Sequence, residues 1–421
     1  MSSNSKRSTR IGSYSSPHWQ VSKHNYSAQI QGGMNLPDEV KLCDFTLREG
    51  SVQAGVKFTP EEQRELVTLL DSMGVPFIGL YFSDSIGDTY ESARRLGGLG
   101  LKAKLVGMVS PFYEWRMRSA ADWKQIVDPQ IDAGIQIIEM LYYLTDWRLQ
   151  GTVYEKRMTS DEVIDTMGGY IDYVRSRGAI PFPVVTDTAR VDLDILKKAY
   201  RSNVAAGAGI VGVNDSFGAM IPATMRYLVR EIKNVVGTVP VKIHCHNDTG
   251  LGLANTLAGV EGGAEIVDGN LNGYGDRGFT DLTALAVNLT INYGFDLGVD
   301  LGRMYEASKA AERMTQMAIA PSSPLIGDYA FSTSAELHNH GMDDAYWSAS
   351  VLDPTLYGKK PKVFVTAKSG PSTVRRKLEE LGISVNDEVL SRATERIREA
   401  DASTKGILSD ADIRRLVAEL V

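Results

Sequence analysis

Lys41-Leu-Cys-Asp-Phe-Thr-Leu47, Thr59-Pro-Glu-Glu62 and Phe77-Ile-Gly-Leu-Tyr-Phe82 follow one another as a short apolar run, a helix start and a second apolar run. Thr59 and Glu62 have the spacing of a capping box, and Pro60 stands at the first helical position, where its missing N–H is no loss. Leu66, Leu69, Leu70 and Met73 then recur on one helical face until Gly74 stops the helix. Strand, helix, strand at this spacing is a βαβ unit.

The same alternation continues along the chain. Ala103–Val109, Gln136–Tyr142, Pro181–Thr186, Ile210–Asp215, Val239–His246 and Glu265–Asn272 bring the apolar runs to eight. Eight units over about 260 residues match a (β/α)₈ TIM barrel in number and length. A doubly wound open sheet is the competitor, because periodicity does not report closure. The count of eight, with no Gly-x-Gly-x-x-Gly after the first run, favours the barrel. The expected α/β fold is thus a (β/α)₈ TIM barrel with an N-terminal arm and C-terminal, mostly helical lid and subdomains. Expected boundaries are 1–38 for a polar arm, 39–298 for the barrel, 299–358 for an irregular linker and lid, and 359–421 for a small helical subdomain. In the last, Ser384-x-x-Asp387 and Ser409-x-x-Asp412 read as helix starts.

Lys and Arg number 45 against 52 Asp and Glu, and the net charge of −7 comes without blocks of either sign. That argues against nucleic acid or an anionic membrane as partner. Cys43 and Cys245 are too few to staple 421 residues or to build a zinc ribbon, so a reducing compartment is expected. No apolar run approaches a membrane span, and Met1–Arg10 is polar with no apolar stretch behind it. The chain reads as cytoplasmic.

His244-Cys245-His246 lies on the seventh run. Residues i and i+2 of a strand share a face, so both imidazoles can point into the barrel mouth while Cys245 points to the helices. Two adjacent neutral imidazoles are a metal-ligand pair; two histidines bonded into a polar interior are the alternative. Their place at a strand's C-terminal end, where barrel enzymes keep their chemistry, favours the metal. Arg48-Glu49 follows the first run. An Arg/Glu surface pair is the plain reading of it alone, but with His244 and His246, Glu49 completes a two-His, one-carboxylate set suited to a divalent ion with open positions. Arg48 would then face a substrate oxygen that gains negative charge.

Asp44-Phe-Thr-Leu-Arg48-Glu49-Gly50, His244-Cys-His-Asn-Asp-Thr-Gly-Leu251 with Ala254-Asn255 and Gly263-Ala264, and Asn272-Gly-Tyr-Gly-Asp-Arg277 resemble the signatures of the DRE-TIM metallolyase superfamily. The similarity covers residues 40–290. Beyond it, Leu325-Ile-Gly-Asp-Tyr-Ala-Phe-Ser-Thr-Ser-Ala-Glu-Leu-His338 and Asp353-Pro354 to Gly358 resemble segments of the Claisen-condensing synthases that make isopropylmalate, homocitrate and citramalate. The resemblance implies a divalent metal (Mg²⁺, Mn²⁺ or Zn²⁺) on Glu49, His244 and His246, Arg48 on a 2-oxoacid carbonyl, an acyl-CoA as donor, and His338 as a lid histidine. It also implies a homodimer in which the lid reaches the neighbouring subunit's barrel.

Departures from the family pattern define a divergent member. Its Gln after the glycine of the first signature is Val52 here, with Gln53 adjacent. The fifth-strand Ser-x-Glu-Asp becomes Val184-Val-Thr186-Asp187, losing a glutamate tied to catalysis. Asp-Thr on the sixth becomes Asp215-Ser216, which keeps a hydroxyl for the 2-oxoacid carboxylate. Phe279-Thr280-Asp281 replaces a Gly-Asn that supplies a metal contact, leaving Asp281 or water as fourth ligand. Tyr346 and Tyr357 are candidates for the tyrosine that partners the lid histidine. Phe182 and Val184 stand where homocitrate synthases grip a distal carboxylate, so 2-oxoglutarate is disfavoured and an apolar 2-oxoacid fits better. Thr186 and Ser216 complete the expected substrate contacts.

The remaining features have plainer readings. Met108, Met140, Tyr142, Tyr143 and Trp147 are expected in strand-end and core packing rather than in a cofactor box, although the fourth-strand end faces the mouth; Cys43 is expected as a small buried hydrophobe, His18 and His24 in solvent, and His340 as a structural or substrate contact. The end at Val421 leaves no room for the leucine-binding domain of isopropylmalate synthases, so leucine feedback there is not expected. The leading expectation is an acyltransferase that condenses acetyl-CoA with a 2-oxoacid. The alternatives are a lyase, aldolase or carboxyl transferase on the same barrel, and a non-catalytic scaffold paralogue.

Overall fold

A computed structural model describes residues 12–80, 86–112, 123–152, 157–332, 338, 346–403 and 407–420. Eight strands, β1 (Lys41–Asp44), β2 (Phe77–Gly79), β3 (Lys104–Val109), β4 (Ile137–Tyr143), β5 (Ile180–Thr186), β6 (Val211–Asp215), β7 (Val241–Cys245) and β8 (Ile266–Gly269), pair in parallel in chain order. β8 pairs with β1, which closes the barrel. Strands covered on both faces can be apolar throughout, and these nearly are. Cys43, Phe45, Val106, Ile137, Phe182, Val184, Ile210 and Ile266 fill the barrel interior. At Gly79 the space a side chain would take is occupied by the Phe45 ring.

Two apolar runs overshoot their strands. After β1 the buried Asp44 carboxylate accepts the Thr46 N–H (3.0 Å) and its hydroxyl (2.7 Å), turning the chain into the short helix Thr46–Glu49. After β8, Leu271 N–H donates to Thr46 Oγ1 (2.8 Å), so the two loops are tied at the point where both leave the barrel. Tyr81 and Phe82 of the second run lie outside the described residues. The helix Pro60–Ser72 carries the expected capping box: Glu62 N–H donates to Thr59 Oγ1 (3.2 Å) and Thr59 N–H to Glu62 Oε2 (2.8 Å).

The chain divides into two compact units, Lys23–Met317 with the described residues 12–13, and Ala318–Val421 with Tyr14–Ser22. In the first, the end of the polar arm is strapped to the barrel: Tyr26 Oη–H donates to Ile291 O (2.7 Å) and Asn35 N–H to Glu261 O (2.7 Å). The helix Met304–Thr315 belongs to this unit. In the second, a small hairpin of Ser15–Ser16 and Trp19–Gln20 pairs with residues 351–353, through Gln20 N–H to Val351 O (2.9 Å) and Asp353 N–H to His18 O (2.8 Å). His18 and His24 are exposed.

The helices Pro371–Glu380, Asp387–Ala402 and Asp410–Ala418 enclose a core of Val365, Val374, Leu378, Leu390, Ile397 and Ile413. Ser409 caps the last helix as expected. The middle helix starts two residues later than Ser384 suggests: Asn386 is its N-cap, accepting Val389 N–H (2.9 Å), and asparagine serves as well as serine there. Among the described residues, no helix is long and apolar enough to cross a membrane.

One buried lysine organises the start of the second unit. Lys359, 1% exposed, directs its ammonium at the carbonyls of Leu325 (3.0 Å), Ala330 (3.0 Å) and Gly327. Tyr357 Oη–H also donates to Leu325 O (2.9 Å). The gripped segment contains Leu325 and ends at Phe331, two non-glycine residues with φ near +60°, a conformation that local sterics oppose. Lys359→Met would take the ammonium from all three carbonyls and leave Ala330 O without its donor, while Leu325 O keeps Tyr357 Oη–H and Gly327 O keeps the Ala330 N–H. We expect it to lower stability by roughly 2 kcal/mol in urea unfolding, the usual cost of a stranded buried acceptor.

Candidate metal centre

Three side chains converge at the C-terminal mouth of the barrel. The turn after β1 places Glu49 there, 2% exposed. On β7 the inward-facing register carries Lys242 and His244, and His246 follows directly after the strand. His244 Nδ1 lies 2.8 Å from Asp268 Oδ2 on β8, the same oxygen that Lys242 Nζ contacts. His246 Nδ1 lies 3.1 Å from the Asp276 carbonyl. A carbonyl only accepts, so His246 Nδ1 carries the hydrogen and its Nε2 presents a lone pair; the Asp268 carboxylate sets His244 the same way.

Both Nε2 atoms face Glu49, at 3.4 Å (His244 to Oε1) and 3.9 Å (His246 to Oε2). The three donor atoms all lie within 4.8 Å of one another. Burial pushes the His246 pKa down to about 4 and that of His244 well below its ordinary value, so both rings are neutral at pH 7. Two lone pairs and a carboxylate thus point at one place with no imidazole proton between them. That donor set fits a divalent cation, and the second ring nitrogens are already held as metal-binding histidines require. Phe279 packs on both imidazoles, with ring centroids 4.6 Å from His244 and 5.4 Å from His246, and Phe45 meets His244 at 5.7 Å.

Arg48 contacts Glu49 Oε1 and brings its Nε to 3.7 Å from Glu139 Oε2. On the opposite rim, Ser216 Oγ accepts the Asp187 N–H (2.9 Å), which leaves its hydroxyl proton available. Thr186 Oγ1 is buried without a hydrogen-bond partner. Phe182 and Val184 are fully buried in the apolar interior.

Residues 39–310 match the HMGL-like family, and residues 325–405 match the homocitrate synthase post-HMGL domain-like family. The chain belongs to the DRE-TIM metallolyases. The second match puts it in their Claisen-condensing branch. It is 31% identical over 393 residues to a 2-isopropylmalate synthase of Methanocaldococcus jannaschii, covering 92% of this chain and 73% of that protein. It is 30% identical over 366 residues to the homocitrate synthase AksA of Methanopyrus kandleri, covering 87% and 88%. In fold it is similar to the HMG-CoA lyase of Brucella melitensis, with a TM-score of 0.56 at 16% identity over 66% of this chain and 99% of that one.

Several signature residues of this DRE-TIM metallolyase build loops. Asn247 Oδ1 accepts Gly252 N–H (2.9 Å) at the start of the helix Gly252–Gly262, and Asn255 Nδ2 donates to Asp215 Oδ2 (3.1 Å) and Met220 O (2.9 Å). Gln53 Oε1 accepts Gly275 N–H (2.8 Å), bridging the first and third signatures, whereas Val52 is exposed. Asp281 is not part of the donor cluster: its Oδ1 caps the helix Leu282–Ile291 by accepting Ala284 N–H (2.6 Å). Trp147 packs at the strand end rather than in the core. It follows β4 on the rim, 42% exposed, with the Arg190 guanidinium 4.9 Å from its ring centroid. Tyr142 and Met140 are buried as expected, Tyr142 accepting from Asn203 Nδ2 (2.8 Å).

His338 lies in the second unit, exposed, and lines a cavity of about 610 Å³ with Phe331, Tyr346, Trp347, Lys362 and Arg376. Tyr346 is thus in its neighbourhood, whereas the Tyr357 hydroxyl is taken by Leu325 O. His340 lies outside the described residues.

Lys242, Asp268 and Glu139 escaped the sequence reading. All three are charged residues on otherwise apolar strands at inward-facing positions, a pattern visible in Val241-Lys-Ile-His244 and Ile137-Ile-Glu-Met140. Burial raises the Asp268 pKa to about 6, opposed by Lys242. Asp268→Asn keeps the shape but loses the anion that orients His244. We expect roughly 10- to 100-fold weaker binding of a divalent ion in calorimetric titration of the variant against wild type.

Proposed function

We propose that the protein catalyses a divalent-metal-dependent Claisen-type condensation of an acyl-CoA, acetyl-CoA first among them, with a 2-oxoacid, giving a 2-alkylmalate-like product and CoA. The observation that carries the reading is the convergence of Glu49, His244 and His246 beside Arg48 at the barrel mouth. Glu49, His244 and His246 would hold Mg²⁺, Mn²⁺ or Zn²⁺. A divalent ion bound there would polarise the 2-oxoacid carbonyl.

The chain's own residues supply the rest. Arg48 donates to the carbonyl oxygen as it becomes an alkoxide, which a fixed cation in a buried site favours. Ser216 and Thr186 hydroxyls hold the 2-oxoacid carboxylate, fixing the carbonyl carbon within reach of the nucleophile. The thioester α-carbon gives up a proton, attacks that carbon, and hydrolysis of the thioester then releases the CoA thiol. His338 assists the deprotonation or the thioester chemistry, delivered by the lid of a homodimer partner. Phe182 and Val184 favour an acceptor with an apolar side chain. One methylene in such a pocket is worth only about 1–3 kcal/mol, and relatives near 30% identity carry the names of different products, so the acceptor is found by experiment. The lid and helical divisions 299–358 and 359–421, and a cytoplasmic setting, belong to the same reading.

The test is release of free thiol from acetyl-CoA with a panel of 2-oxoacids, with and without EDTA, for wild type and His244→Ala. Release should require one class of 2-oxoacid and the metal, and should fall to background in the variant. Silence across the panel in metal-loaded protein would overturn the acetyl-CoA reading.

A further inference from the structure

Glu139 is a carboxylate without an employment. It sits mid-way along β4 at an inward-facing position, opposite Met108 of β3 and Phe182 of β5, and is 1% exposed. Neither of its oxygens accepts a hydrogen bond. Arg48 Nε stands 3.7 Å from Oε2, within ion-pair reach and beyond hydrogen-bond length, and this buried Nε–H also lacks an acceptor. The other end of the same guanidinium contacts Glu49 Oε1.

Arg48 therefore stretches between two carboxylates, and one of them is a donor of the candidate metal centre. A divalent ion and a guanidinium compete for Glu49 and repel each other. When the ion takes Glu49, Arg48 needs another anion, because an unpaired charge in so buried a place is costly. Glu139 has both oxygens unspent and is close enough to receive it.

We propose that Glu139 is the positioning residue for Arg48. On metal binding Arg48 transfers its ion pair from Glu49 to Glu139, which frees Glu49 for the ion and fixes the remaining N–H groups of Arg48 toward the 2-oxoacid carbonyl. The inference rests on the metal-binding part of the proposed function.

The experiment is a double-mutant cycle on Mn²⁺ affinity, read by calorimetry on the full chain without substrate. In Glu139→Gln, Arg48 keeps its hold on Glu49, and Mn²⁺ binding should weaken by roughly 10- to 100-fold. Arg48→Gln should bind Mn²⁺ at least as tightly as wild type. In the Arg48→Gln background, Glu139→Gln should change the affinity by no more than about twofold, because nothing is left to position. A simple field effect of the Glu139 charge would instead weaken binding equally in both backgrounds and would overturn the inference. Glu139→Asp, which keeps the charge but shortens the reach, should give an intermediate loss that also disappears with Arg48→Gln; this variant decides the matter if Glu139→Gln does not fold. If wild type binds neither Mn²⁺, Mg²⁺ nor Zn²⁺, the metal reading itself fails and this inference falls with it. If wild type binds Mn²⁺ and the Glu139 variants are unaltered, only the inference fails.

Discussion

Asp268 Oδ2 receives Lys242 Nζ from one side and His244 Nδ1 from the other, in a barrel interior with no measurable exposure at Asp268. An ammonium this deep needs an anion against it, and the anion in turn has its ordinary hydration replaced by two donors. Lys242 also sits over the faces of Phe45 and Phe182, 3.8 and 5.0 Å from the ring centroids, where the ring quadrupoles add attraction. Remove this arrangement and His244 loses the partner that fixes its tautomer, Phe45 loses the charge above it, and the floor on which Arg48 and Glu49 rest shifts.

The loops above that floor are built to return to one another. Thr46 ties the loop after β1 to the loop after β8, Gln53 ties it again to Gly275, and Asn255 ties the loop after β6 to the helix after β7. Thr46 and Gln53 each accept a backbone N–H, and Asn255 donates to the Asp215 carboxylate and to the Met220 carbonyl, so each tie fixes loop position through an uncharged polar side chain. Glu49, His246 and Ser216 come from three different loops or strand ends, and these ties join the loops that carry them.

The barrel was legible because its information is local. A capping box such as Thr59 with Glu62 and an apolar run such as Ile210–Asp215 each declare an element within a few residues, and eight of them in order leave few topologies. The convergence of Glu49 with His244 and His246 was legible from strand parity and from placing both at strand ends. Glu139, Lys242 and Asp268 were not, because the partner of an inward charge sits on another strand and one strand's sequence does not name it. Asp281 stayed open as a fourth ligand beside water for a related reason: an aspartate one residue before a helix and one near a metal look alike until the Ala284 N–H is seen to occupy its Oδ1. For Trp147 the residue type leaves strand-end and core packing undivided, and its position beyond the end of β4 decides for the rim.

Residues 14–22 join the C-terminal unit, pairing with residues 351–353, while the whole barrel lies between them in sequence. On a ribosome the early hairpin leaves the exit tunnel long before its partner strand exists, and it must wait through the synthesis of an entire domain. Its edge stays unpaired for that interval. The barrel can therefore fold during translation, whereas the unit that carries His338 is completed only after the residues that follow the barrel have joined residues 14–22.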